Sequence, residues 1–287
     1  MSAPMSPEQV VEHHPTDPTL RDERIPHIWC PGCGIGGAVK AFAEAIERSP
    51  KGLDEHVVVS GIGCTGRSAG YINVDSYHTT HGRAIPYATG VKVANPDLEV
   101  TVFSGDGDLF NIGGNHFIHA ARRNLDLTVL CVNNFNYGMT GGQFGATTPQ
   151  EATTSTTPFG NFERSFNLPL LAASLGVPHV SRWSILHPRR LSRAISAAME
   201  TDGMGFVEVI SPCPPNYGKR NGYPDGLDFL AYLEDHAVID DGADLDQVGI
   251  DLAGEPLVLG DFRHEPSESY LEVKARHLAA HGVGGGA

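Results

Sequence analysis

The pairing of Gly105-Asp106-Gly107-Asp108 with Asn133-Asn134 constrains this chain more than any other feature. Each word closes a stretch that reads as a buried strand. Glu99-Val100-Thr101-Val102-Phe103-Ser104 precedes the first, and Leu127-Thr128-Val129-Leu130-Cys131-Val132 precedes the second. A helical stretch, 114–123, lies between them. The three pieces make a βαβ unit, and in a parallel sheet both strand ends emerge at the same edge. Ligands of such sheets sit in the crevice beyond the strand C-termini. Asp106 and Asn134 therefore converge there, beside glycines that let a phosphate approach the backbone. A carboxylate and an amide oxygen suit Mg2+ held between the protein and a diphosphate. The competing reading is two ordinary βα turns in which Asp and Asn act as caps.

The surrounding pattern predicts an α/β fold, a mostly parallel sheet with helices on both faces. Residues 1–26 read as an N-terminal arm. Residues 27–215 read as the α/β domain, and 216–287 as a C-terminal tail packing on the core or on a partner subunit. Within the domain, a turn at Cys30-Pro31-Gly32-Cys33-Gly34 opens a helix over 36–48, followed by a strand at 57–60. A long polar segment to about Arg83 reads as an active-site loop. A helix over 83–94 is stopped by Asn95-Pro96. Residues 137–158, rich in Gly and Thr, are too long for a passive link and are expected to cover ligand. A helix over 162–175, a strand near Val180, a helix over 188–200 and a strand over 206–210 complete the core. The tail shows helical period only near 227–236 and 267–281, and its last six residues are expected to be disordered.

Charge and hydropathy narrow the function. A formal net charge of −14 argues against nucleic acid as a partner. No apolar run reaches the length of a membrane span, and the polar start lacks a signal core, so a cytoplasmic protein is expected. Five cysteines then point to metal or redox chemistry before disulfides. Cys30 and Cys33 form a CxxC, while Cys64 and Cys213 each follow a strand. Cys131 lies mid-strand and reads as a core thiol. Four loop cysteines are the arithmetic of a metal site with four thiolate ligands. A thioredoxin-like pair would need neither Cys64 nor Cys213. Structural zinc would use the same four ligands. A 4Fe-4S cluster is the favoured reading, because an electron acceptor beside the crevice has a use. Gly61-Ile62-Gly63-Cys64-Thr65-Gly66 is formally a dinucleotide fingerprint, but no helix and no acid-terminated strand follow it as a Rossmann site requires. His78 and His81, and His116 and His119, have spacings that metals use. The candidate functional pair is His81 near the diphosphate and His116 near the substrate, with His119 as helix packing.

Six words in order resemble the β subunit of 2-oxoacid:ferredoxin oxidoreductases: Trp29-Cys30-Pro31-Gly32-Cys33-Gly34, Gly61-Ile62-Gly63-Cys64, His78-Thr79-Thr80-His81-Gly82-Arg83, Gly105-Asp106-Gly107-Asp108, the run from Asn133-Asn134 to Gly141-Gly142-Gln143, and Ser211-Pro212-Cys213-Pro214. The Asp106 and Asn134 words by themselves resemble the signature of thiamine-diphosphate enzymes. Ile112-Gly113-Gly114-Asn115-His116 and Arg122-Arg123-Asn124 look closest to the 2-oxoglutarate branch. The resemblance spans about residues 27 to 270 and implies the thiamine-diphosphate-binding fold. It implies Cys30, Cys33, Cys64 and Cys213 as ligands of one 4Fe-4S cluster, and Asp106, Asn134 and the backbone carbonyl of Asn136 as Mg2+ ligands. It sets Ile62, Gly63, Cys64, Thr65, His81, Gly82, Gly107, Asp108, Gly138 and Met139 around thiamine diphosphate.

The implied reaction is the coenzyme A-dependent oxidative decarboxylation of 2-oxoglutarate to succinyl-CoA, with electrons leaving through the cluster to ferredoxin. The same reaction on pyruvate or another 2-oxo acid is the alternative. A non-redox thiamine-diphosphate decarboxylase or synthase with structural zinc is the alternative of another class. No ferredoxin-like cysteine run is present, and no glutamate stands ready to activate the aminopyrimidine. In the family that acid comes from the α subunit, so an (αβ)2 assembly is expected and the chain alone should be inactive. Docking of an acidic ferredoxin would need a local basic strip, such as Arg182, Arg189, Arg190 and Arg193, or Lys219 and Arg220, or a surface of the partner chain.

Overall fold

The structure is a computed structural model and describes residues 14–250 and 256–283. Half of the expected N-terminal arm and most of the expected disordered end lie outside the described residues. Six parallel strands form the body of an eight-stranded sheet: β1 (His56–Ser60), β2 (Asp75–His78), β3 (Glu99–Gly105), β4 (Thr128–Asn133), β5 (His179–Ser184) and β6 (Gly205–Ile210). Two strands of the C-terminal segment, β7 (Ala237–Ile239) and β8 (Leu257–His264), complete the order β2-β1-β3-β4-β6-β5-β8-β7. Only β8 runs antiparallel to its neighbour β5.

The alternation of strand side chains divides the core in two. Val58, Phe103, Leu130, Val132, Val207 and Val209 face one side, where α1 (Ile35–Arg48), α5 (Pro188–Met199) and α6 (Gly226–His236) cover them. Val57, Val59, Val100, Val102, Val129 and Phe206 face the other, under α2 (Ala84–Ala94), α3 (Gly114–Arg123) and α4 (Leu168–Ser174). Strands covered on both faces read as continuous apolar runs, which is why β1, β3, β4 and β6 are legible. The expected mostly parallel sheet with helices on both faces is what the chain forms.

Three expectations change. The polar segment before Arg83 contains β2, whose four residues Asp75 to His78 are all exposed. It is an edge strand held by backbone bonds to β1, with no apolar alternation to signal it. The helix expected over 162–175 shrinks to α4. Asn167 caps it by accepting from Leu170 N at 3.2 Å, Pro169 occupies its first turn, and Phe162 stays exposed. The segment after Ser211 extends the sheet through β8, where Trp183 Nε1 donates to Asp261 Oδ1 at 2.8 Å, and ends in α7 (Tyr270–Ala280).

Candidate active site

The C-terminal ends of β1, β3 and β4 meet at one edge of the sheet, and a cleft of about 470 Å³ opens there. Ile62, Gly63, Cys64 and Thr65 line it from the turn after β1, and His81 from the segment after β2. Gly105 to Asp108 line it from the end of β3, and Asn134, Asn136 to Thr140 from beyond β4. Every residue that the sequence sets around the cofactor lines this cleft except Gly82, whose N–H donates to Asp108 Oδ1 at 2.9 Å just behind it.

The cleft contains oxygen donors without partners. Asn134 Oδ1 and Asn136 Oδ1 are buried and accept no hydrogen bond. Asn136 Nδ2 donates to Asn134 O at 3.0 Å, which fixes the amide. Asp106 is 3% exposed; burial pushes its carboxyl up to about 7, although Thr147 Oγ1 donates to it. No Lys or Arg side chain pairs with it among the described residues. A buried acceptor left unsatisfied costs about 1–3 kcal/mol. One acid and two orphaned amide oxygens on one wall are the donor set a hard cation takes, so the residues fit Mg2+. The side-chain oxygen of Asn136 is a candidate ligand that the sequence, which points to its carbonyl, does not name. Thr147 escapes a sequence reading because it carries no motif, and Tyr137, although inside the word that begins at Asn133, is given no role by it. Tyr137 OH donates to Gly107 O at 3.2 Å, and its ring would meet a Cβ on Gly107 at 2.6 Å.

Asp108 does not present a free carboxylate. Its Oδ1 accepts from Gly82 N, from Ile62 N at 3.3 Å and from His81 Nδ1, and its Oδ2 accepts from Ser104 Oγ at 2.8 Å. It therefore ties the turns after β1 and β2 to β3. The bond to Nδ1 leaves His81 Nε2 free to face the cleft. A Cβ on Gly61 would lie 1.8 Å from Asp108 Oδ2, and one on Gly66 would lie 2.2 Å from Gly61 O. These glycines answer to close packing of the turn, not to a dinucleotide. The expected pair of histidines is not brought together. His116 touches Arg83 and lines a separate surface hollow with Ile85, Pro86 and Arg123. His119, expected to pack, is exposed.

The four loop cysteines do gather. Cys33 N donates to Cys30 O at 3.0 Å in the turn before α1, Cys64 follows β1, and Cys213 follows β6. All are free thiols. Burial pushes the Cys33 thiol up to about 12, and Cys213, Cys64 and Cys30 push it the same way. Burial, then Cys213 and Cys30, raise Cys64. Cys33 and Cys64 thus sit in the field of the other loop thiols, while Cys131 is raised by burial and by Asp106 and Glu208, away from the set. Thiols held up in this way ionise for a metal. Among the described residues no three His, Cys, Asp or Glu side chains are placed to hold a single metal ion. The thiol set shares Cys64 with the cleft and meets it again at Gly138, whose Cβ would lie 3.3 Å from Cys213 Sγ. The expected basic strip loses Arg182, which is fully buried and paired with Glu208.

The family described as thiamine pyrophosphate enzyme, C-terminal TPP binding domain, matches residues 61–209. The 2-oxoglutarate synthase subunit KorB of Methanocaldococcus jannaschii is 43% identical over 260 residues, 90% of this chain and 95% of its own length. That of Archaeoglobus fulgidus is 44% identical over 253 residues, 88% of this chain and 90% of its own length. A solved 2-oxoglutarate:ferredoxin oxidoreductase from Magnetococcus marinus, with 2-oxoglutarate, coenzyme A and succinyl-CoA bound, superposes with a TM-score of 0.83 at 30% identity, covering 96% of this chain and 94% of that one. The match runs through the oxygen-lined cleft and the turns that border it, and the chain belongs to the thiamine-diphosphate-binding β subunits of the 2-oxoacid:ferredoxin oxidoreductases, alongside the KorB subunits of 2-oxoglutarate synthase.

Proposed function

We propose that this chain is the β subunit of a 2-oxoglutarate:ferredoxin oxidoreductase, converting 2-oxoglutarate and coenzyme A to succinyl-CoA and carbon dioxide while electrons pass to ferredoxin. The observation that carries the reading is the junction itself: a cleft with unsatisfied oxygen donors shares Cys64 and abuts Cys213 of a four-thiol set. Bound thiamine diphosphate supplies the nucleophilic carbon and the electron sink for decarboxylation. Asp106, Asn134 and Asn136 hold Mg2+ and through it the diphosphate, and the cation's charge returns the Asp106 carboxyl to its ionised form. Gly63, where a Cβ would meet nothing within 4 Å, leaves room for the phosphates at the backbone.

Cys30, Cys33, Cys64 and Cys213 hold a 4Fe-4S cluster as the outlet for electrons. A cluster suits them better than zinc, because an electron acceptor beside the cleft has a use and zinc has no redox chemistry. The cleft's two carboxylates are Asp106, reserved for the cation, and Asp108, spent on the turns. The acid that activates the cofactor's aminopyrimidine therefore comes from a partner subunit, and the working enzyme is an αβ heteromer, (αβ)2 in its simplest closed form. Among the described residues no helix is long and apolar enough to cross a membrane, and we assign the enzyme to the cytoplasm.

The test is an anaerobic preparation of the chain co-expressed with its α subunit. The reading expects about four iron per β chain and broad brown absorption. It also expects bleaching on addition of 2-oxoglutarate with coenzyme A. Zinc in place of iron, with no colour, supports the non-redox decarboxylase reading instead.

A further inference from the structure

Beneath the cleft a buried polar chain crosses the sheet. Arg182 on β5 and Glu208 on β6 face each other in register, and both are 0% exposed. Arg182 Nε donates to Glu208 Oε2 at 2.6 Å. Glu208 Oε1 accepts from Asn133 Nδ2 at 2.7 Å, and Asn133 is the last residue of β4. Asn133 Oδ1 in turn accepts from Phe135 N at 3.1 Å. Phe135 has φ +66°, a left-handed conformation that bulky residues avoid, and its carbonyl accepts from Thr148 Oγ1 at 2.6 Å. The residues on either side of Phe135 are Asn134 and Asn136, whose side-chain oxygens are the orphans of the cleft.

We propose that Arg182 and Glu208 are positioning residues: they fix the Asn133 amide so that it holds the 134–136 turn with Asn134 and Asn136 facing the cation. This rests on the reading of those two residues as ligands. Donor and acceptor chemistry sets the amide's orientation. An amide can sit either way round, and only one orientation offers its oxygen to Phe135 N. Glu208, paired to Arg182, has only acceptors to offer, so it takes the amide NH2 and forces the oxygen toward Phe135. An apolar pair could fill the same space without this selection. Stability alone is a poor account of the pair, since replacing a buried ion pair by apolar side chains is often neutral or stabilising, and Arg182 Nη2 has no partner. The guanidinium also reaches the other way. Nη1 donates to Val248 O at 2.6 Å, so the C-terminal segment is tied to the ligand turn through the same chain.

The test uses the αβ complex carrying Glu208→Gln, whose side chain can donate as well as accept and so releases the selection. A second complex carries Arg182→Met with Glu208→Leu, which leaves no buried charge. The readouts are thiamine diphosphate binding by calorimetry across a Mg2+ titration, iron content and the melting temperature. We expect melting within a few degrees of wild type for the double variant and a lower melting temperature for Glu208→Gln, which leaves Arg182 buried without its counter-ion. In both we expect unchanged iron and a half-saturating Mg2+ concentration raised at least tenfold and overcome by excess Mg2+. If the double variant does not fold, Glu208→Gln decides. A half-saturating Mg2+ within twofold of wild type in a folded variant overturns the proposal. Iron lost in step with the Mg2+ response marks a general structural role and overturns it too. Binding that needs no Mg2+ in the wild type removes the ligand reading and this proposal with it, whereas a Mg2+-dependent wild type with unaltered variants removes this proposal alone.

Discussion

Asp106 opposes stability to function at a single carboxyl. Its folded pKa is about 7, raised by burial from an ordinary value of 3.8. The folded state therefore favours the neutral acid, and the stability that goes with it is complete below about pH 4 and lost as pH rises through 7. In the Mg2+-stripped complex, Asp106→Asn should flatten this decline and be the more stable form at pH 8, by on the order of 3 kcal/mol. The same variant should lose Mg2+-dependent thiamine diphosphate binding, which calorimetry and denaturation midpoints from pH 5 to 8 would report together. Equal midpoints for the two proteins at both ends of that range would contradict this account of Asp106. The thiols give a second contrast. Cys131→Ala should retain about four iron per chain and Cys213→Ala should not, because only the second belongs to the set. Iron analysis of the purified complexes distinguishes them. Gly61→Ala drives a Cβ to 1.8 Å from Asp108 Oδ2. It should destabilise the complex by about 1–3 kcal/mol and weaken cofactor binding, since Asp108 can no longer hold both turns.

At the scale of elements, legibility follows what each element buries. Strands covered on both faces announce themselves as Val-rich runs, and α3 and α5 by an apolar stripe. The strand β2 does neither, and its place at the sheet edge comes from backbone bonds to β1 that no side chain records. The sequence overextends α4 because Phe162 and Phe166 mimic a helical stripe. Its true start is set by Asn167, which accepts from Leu170 N and donates to Leu245 O at 2.6 Å. Asn167→Ala should therefore cost about 1 kcal/mol through the cap alone, and somewhat more through the lost tie to the C-terminal segment; a melting curve unchanged within error would contradict this. The site divides in the same way. Cleft residues that follow strands are legible, because strand ends converge by topology. Thr147, Tyr137 and the Glu208 chain are not, because their roles arise from contacts between segments distant in sequence. His116 lines a separate hollow with Ile85, Pro86 and Arg123, a placement that spacing along α3 does not record.

For the whole molecule, a sheet of parallel strands supplies one edge on which the oxygen donors, the glycine turns and the thiols are set side by side; under the proposed function the activating acid would come from a partner subunit. The chain carries −14 formal charge. Of the cations expected to greet an acidic carrier, Arg182 is buried and Arg190 lies over the Trp183 ring, 5.2 Å from its centroid. Arg220 remains beside the cleft, where it donates to Asn216 O at 3.0 Å and Asn216 in turn donates to Gly138 O at 2.8 Å. The isolated β chain should show no coenzyme A-dependent viologen reduction, and addition of the α subunit should restore it. Oxidation of 2-oxoglutarate is measured by kcat/KM for 2-oxoglutarate and pyruvate with the reconstituted αβ enzyme and coenzyme A. A site built around a second carboxylate discriminates more strongly than one built around a methyl group, because that charge must be paired when the site closes. The account expects 2-oxoglutarate to be preferred by at least tenfold, about 1.4 kcal/mol; an equal preference for pyruvate would contradict it.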